Sequence, residues 1–269
     1  MISGCPTLPQ RVSAMQTEKA VERVEAIVSL LLPDIKIAIG VCETMEAAND
    51  VVAHHLSDRH IEGIEAFNVV QHSLALKLAM DLARIFDVSF GRALDTQDKA
   101  SIPILVHHLR KEEVAAELIQ RARQWVPGWK DDRESDAEAC RAAIDRMIER
   151  WDSMQSGEDF ECLDRIRELR TRRLAHNLVD KDPDPLPYYS DLFTLMAQAT
   201  AIGTDAQFAV LGIPSGLQER VEFKREIAEV FWRSVRAGLE LEPLDAQARL
   251  TKPPLRAEDA EALRMGGDR

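Results

Sequence analysis

Five arginines, at positions 165, 167, 170, 172 and 173, fall within nine residues, and His176 follows them. Only Glu168 opposes them inside that run. Guanidinium groups stay protonated and grip phosphates with paired hydrogen bonds, and an imidazole can accept or donate a proton at neutral pH. The rest of the chain carries the opposite sign: 34 Lys and Arg face 46 Asp and Glu, a net charge of −12. A whole-surface electrostatic footprint for nucleic acid is therefore absent. Any phosphate-bearing partner must be held by this local patch. The alternative is that the run is only the solvated face of a long helix.

A helical wheel separates the two. At about 100° per residue, Leu163, Ile166, Leu174 and Leu178 define an apolar stripe. Arg170 falls in its middle, whereas Arg165, Arg172 and His176 lie together on another face. An arginine among core positions must be paired or must face a polar cleft, because an uncompensated buried charge is very costly. Arg170 is therefore the odd residue of the helix.

Other chemistries find no support. There is no phosphate-loop motif, no dinucleotide fingerprint and no H-E-x-x-H. A di-iron bundle needs Glu-x-x-His on two helices, but the residues three before each histidine are Val51, Val52, Ser57, Val69, Ile104, Leu105 and Arg173. His54, His55 and His60 cluster, as do His107 and His108 with Glu112, yet two ligands do not make a metal site. These histidines are expected at the surface or in the core, with no metal and no cofactor. The cysteines at 5, 42, 140 and 162 show no C-x-x-C spacing. With no apolar leader and no run of about 20 apolar residues, the expectation is a cytoplasmic protein, away from membranes, with reduced thiols.

The elements that must position the patch read as helices. Leu, Ala, Glu and Arg dominate, and aromatics are 5%, which suits helices and argues against a β-sandwich. The periodicity predicts helices near 17–32, 36–56, 61–88, 101–125, 134–156, 159–179, 188–211 and 217–240. Phe67, Val70, Leu74, Leu78, Leu82 and Ile85 form one helical face, widened by Leu76, Met80, Ala83 and Phe86. That marks 61–88 as a central helix of a bundle. Residues 180–187, with three prolines, cannot continue the helix before them. The expected organisation is a loose arm at 1–16, a single all-helical domain over 17–242, and an extended tail at 243–269.

Arg170-Thr-Arg-Arg-Leu-Ala-His176 resembles the Arg-x(4–6)-His motif of HEPN domains. More narrowly it is similar to the Arg-x-[Lys/Arg]-x-[Ile/Leu]-Ala-His of abortive-infection proteins of the AbiU type. The helix from Phe67 to Asp87 and the Ser101-Ile-Pro-Ile-Leu start of the next one agree, so the resemblance covers roughly residues 20–240. It implies an all-α, HEPN-like helical bundle with additional peripheral helices, which dimerises and cleaves RNA without metal as part of a defence or toxin system. In that chemistry a ribose 2′-OH attacks the adjacent phosphate. His176 would move the proton, Arg170 would hold the charge developing on the phosphoryl oxygens, Arg172 and Arg173 would bind flanking phosphates, and Asn177 would orient the scissile group. RNA and a second copy of the chain are the implied partners, with an antitoxin or other defence-system component beside them. Some HEPN toxins carry a tyrosine two residues after the motif histidine, which a partner modifies; Leu178 stands there, so that control is not expected.

One geometric difficulty accompanies the motif. Arg170 and His176 are separated by about 9 Å along a helix and about 120° around it, so they do not share a face. Arg172 and His176 do. Either Arg172 is the working partner or a second chain completes the site. Two further readings stand beside the nuclease: a non-catalytic helical dimer that binds RNA, nucleotide or a protein through the same patch, and an all-helical scaffold in which the segment only builds an interface.

Overall fold

A computed structural model gives the arrangement of the chain and describes residues 8–56, 64–89, 91–125, 133–170, 187–214 and 216–240. Among the described residues there are eight α-helices and no strand, so the fold is all-α as the composition requires. No helix among them is long and apolar enough to cross a membrane.

The first helix, α1 (Leu8–Val51), is a single 44-residue helix. Its first turns fall in the stretch expected as a loose arm, and it runs through the break expected between residues 32 and 36. Pro33 should interrupt a helix, because it removes an N–H donor and crowds the carbonyl four residues earlier. Here Pro33 and Ser29 both face solvent, where water can satisfy the freed carbonyl. On the opposite side Val21, Val24, Val28, Leu31, Ile35, Ala38, Cys42 and Met45 are all buried. They alternate in steps of three and four, so one stripe is packed continuously past the proline and tertiary burial overrides propensity.

The second centre is α7 (Tyr189–Leu211), which buries Leu192, Leu195, Met196, Ala199, Ile202 and Ala206. It touches α1 and also α2 (Ile64–Ile85), α4 (Glu112–Ala122), α5 (Arg133–Ser156), α6 (Glu158–Leu169) and α8 (Leu217–Glu240). At Gly203 the approach to α1 is so close that a Cβ would lie 2.8 Å from Ile35 Cδ1. The expectation that 61–88 is central is corrected: apart from Gln71, the buried residues of α2 all fall between Leu78 and Ile85, while Val69, Val70 and Met80 are exposed. A wide apolar circumference was read as all-round burial, but α1 and α7 already fill the middle of the bundle.

The expected helix at 101–125 is two helices, α3 (Ile102–Leu109) and α4, with Lys111 extended between them. Neither glycine nor proline marks that corner. It is held by charge: Arg110 pairs with Asp152 and Lys111 with Asp95. The break places His108 and Glu112 on different helices, so they do not form the shared face their spacing suggested. Before α3, the loop after α2 is braced by Gln97, whose side-chain oxygen accepts from the Ser89 amide at 2.6 Å and whose side-chain nitrogen donates to the Ser89 and Arg92 carbonyls. Ser101 Oγ donates to the Asp87 carbonyl at 2.7 Å.

His108 is 5% exposed, and neither ring nitrogen has a hydrogen-bond partner. Burial pushes its pKa down to about 4, helped by Lys111, His107 and Arg23 nearby and opposed by Asp95. Unfolding therefore takes up a proton between the ordinary histidine value and pH 4, and stability present above about pH 6.5 is lost as pH falls. Thermal unfolding at pH 7 and 4.5 should show His108→Leu losing roughly 2–3 kcal/mol less than the parent over that interval. Equal losses would mean that His108 is not the titrating group.

Candidate functional site

The arginine-rich segment begins on α6. Gly157 enters the helix in an extended conformation, and Cys162, Leu163, Ile166 and Leu169 are buried against neighbouring helices. This is the apolar stripe of the wheel as far as Leu169. Arg172, Arg173, His176 and Asn177 lie outside the described residues, so of the expected site only Arg170 has a described position.

Arg170 follows the last residue of α6 and retains helical backbone angles. It does not sit in the core: its side chain is 49% exposed, and Nη1 lies 2.7 Å from Asp87 Oδ1. The stem extends from the stripe while the charge reaches a carboxylate, the behaviour of a snorkelling arginine. Asp87 lies two residues beyond the end of α2, and it also accepts from Lys99 Nζ at 2.8 Å. Burial alone would raise the Asp87 pKa, but hydrogen bonds from Lys99 and Arg170 and their charges outweigh it and hold the carboxyl below its usual range. The Gln97 and Ser101 braces fix the loop carrying these groups. Arg170 thus has a defined anchor and several N–H donors left to point elsewhere.

Arg165 has a different role. The wheel places it away from the apolar stripe, on the face of Arg172 and His176; it is 21% exposed and clamped onto Asp191 at the start of α7, with Nε 2.8 Å from Oδ2 and Nη2 2.8 Å from Oδ1. Asp191 also accepts from the Tyr188 amide at 2.9 Å and from Cys162 Sγ at 3.2 Å. Burial would raise its pKa; the Arg165, Tyr188 and Cys162 hydrogen bonds win, and the carboxyl is held below the ordinary value. The Arg165 guanidinium lies 5.6 Å from the centre of the Tyr188 ring, a cation–π distance. This cluster closes the chain after the 180–187 segment and fixes α6 on α7. Sequence reasoning missed it. An acidic residue in the first turn of a helix is a readable signal at Asp191, but its partner on α6 is not.

Arg167, one turn before Arg170, is largely buried, and burial pulls its pKa below the ordinary guanidinium value against the attraction of Asp164 and Asp87. A larger cavity, of about 510 Å³, lies elsewhere, between α1, α7 and α8. Glu43, Glu46 and Asp205 outnumber the single Arg225 on its wall, the wrong sign for a phosphate. Among the described residues no group of three or more His, Cys, Asp or Glu is placed to hold a metal.

The all-α architecture is that of a HEPN-type protein. The chain belongs to the AbiU2 family of HEPN proteins, whose family model matches residues 22–231. No curated protein and no solved structure gives a significant match.

The Arg165–Asp191 clamp makes a stability prediction. Asp191→Leu leaves Arg165 with only the exposed Glu161 carboxylate, 3.5 Å away, and should cost about 3 kcal/mol in urea unfolding. The double variant Arg165→Leu/Asp191→Leu should recover much of that loss, since the orphaned charge is gone. Additive losses would show that the two residues do not act as a pair.

Proposed function

We propose that the protein is a metal-independent endoribonuclease of an abortive-infection defence system, acting in the cytoplasm as a homodimer. The observation that carries this reading is the Arg170–Asp87 pair. It fixes one motif arginine at the edge of the bundle, at the point where the chain enters the segment that bears His176. In the proposed reaction His176 accepts the proton of a ribose 2′-OH, the 2′ oxygen bonds to phosphorus, and the bond to the 5′ oxygen breaks. A proton delivered to that oxygen completes the products, a 2′,3′-cyclic phosphate and a 5′-OH. Arg170 stabilises the charge that develops on the phosphoryl oxygens. Arg172 and Arg173 bind flanking phosphates, and Asn177 orients the scissile group. An antitoxin or other defence-system partner would restrain the activity until it is triggered.

The dimer answers the geometric difficulty of the motif. An isologous contact is the commonest oligomeric arrangement, and a two-fold axis beside the motif helices would bring the Arg170 of one chain towards the His176 of the other.

A second reading, a non-catalytic dimer that binds RNA, nucleotide or a protein through the same patch, is favoured by one observation. Arg165 and Arg170 are both paired with carboxylates of their own chain, which lowers the field the patch offers. Cleavage of RNA decides between the two. The wild-type chain should cleave single-stranded RNA equally with and without EDTA. His176→Ala and Arg170→Ala should each lose at least about a hundredfold in rate while keeping the helical circular dichroism, and Arg172→Ala should lose less. Loss of activity in EDTA with recovery on adding a divalent ion would overturn the mechanism.

The shared site has its own test. Mixed His176→Ala and Arg170→Ala chains should regain part of the activity that neither has alone. Full activity from a species that sediments as a monomer would rule a shared site out.

A further inference from the structure

Next to Arg170 lies a cleft that the motif chemistry does not use. It has a volume of about 320 Å³ and runs between α3, α5, α6 and the loop after α2. That is at the small end of ligand pockets, ~300–1,000 Å³, enough for a base and its ribose. Its floor is apolar: Val88, Leu94, Pro103 and Val106, with Trp151 behind, stacked on Phe86 at 6.2 Å between ring centres. Phe160 stands at its mouth, 41% exposed on α6. The polar groups on its wall are the Gln155 amide, His107, Arg110, Arg167 and Asp164. Two of its lining residues are near neighbours in the chain of the candidate site: Val88 follows Asp87, and Arg167 lies one helical turn before Arg170.

We propose that this cleft receives one base of a single-stranded RNA, stacked on Phe160, with the phosphates on either side held by Arg110 and Arg167 on the way to Arg170. The inference rests on the RNA reading of the site and assigns that RNA a contact away from the reacting phosphate. Three features select this occupant. An exposed aromatic beside an apolar floor is a stacking platform, and every base has a face to offer it. The Gln155 amide both donates and accepts, which suits the edge of a base. Two cations, Arg110 and Arg167, line the same cleft, and Arg167 lies one helical turn before Arg170, so phosphates flanking a bound base have guanidinium partners. Arg110 is partly neutralised by Asp152, but both side chains of that pair are about half exposed, and an exposed ion pair exchanges readily with another anion.

The test uses the full-length chain and a fluorescein-labelled 2′-O-methyl RNA hexanucleotide of mixed sequence. Without a free 2′-OH it cannot be cleaved, so binding is read apart from catalysis. By fluorescence anisotropy, Phe160→Ala should weaken binding roughly tenfold, and Phe160→Tyr should bind like the parent. On a cleavable strand, Phe160→Ala should raise KM by the same factor and leave kcat unchanged. Arg110→Gln should weaken binding and lower the salt slope by about one counterion. Unchanged affinity in both Phe160→Ala and Arg110→Gln, with cleavage intact, would overturn the subsite and leave the ribonuclease standing. Phe160-dependent binding by a chain that never cleaves RNA would keep the subsite and remove the ribonuclease. A parent chain that does not bind the hexanucleotide removes both.

Discussion

The bundle depends on one uninterrupted line of burial along α1. At 1.5 Å per residue its 44 residues extend about 66 Å, and α2, α3, α4, α7 and α8 all lie against it. The apolar stripe passes Pro33 without losing a position, so the two halves of the helix are held in one frame by what they pack against. Were the helix to end at Leu32, the elements laid on its two halves would have no common axis. The close approach at Gly203 belongs to the same constraint, since α7 can reach α1 there only because no side chain stands between them.

Charge then fixes what burial leaves loose. In an acidic chain several arginines tie helices together: Arg84 to Asp34, Arg121 to Glu25, Arg146 to Asp205, Arg165 to Asp191 and Arg225 to Glu43. Each joins two elements distant in sequence. Several of the carboxylates are well buried and their arginine partners less so, which keeps the geometry specific while limiting desolvation. The Arg170–Asp87 pair follows the same pattern, but it lies at the end of its helix and beside a cleft instead of between packed faces.

The fold class was legible because helical periodicity is a local signal. The helices at 134–156, 188–211 and 217–240 correspond closely to α5, α7 and α8. The misreadings came where distant contacts decide. Pro33 is a breaker in any local reading, and only the buried stripe on its far side shows why the helix survives. The corner at Arg110 and Lys111 has no turn residue and is made by two aspartates far away or out of register. At the site, the wheel identified Arg170 as a residue needing a partner, and the partner is Asp87. It could not show that Arg165 is an anchor, because Asp191 lies beyond a proline-rich segment and pairs across space.

The Arg170–Asp87 contact has a consequence for selectivity. A cation that already holds a carboxylate carries its own resident competitor. Any incoming anion must displace that carboxylate or share the guanidinium with it, so the gain from one contact is reduced by whatever the resident pair was worth. A lone inorganic phosphate gains little from such an exchange. A polymer of phosphates meets a similar exchange at each paired cation but can form contacts at several of them, each favoured by the tether to the last. On the proposed ribonuclease reading, an internal counterion would set a threshold that discriminates by the length of a polyanion, without reading any base.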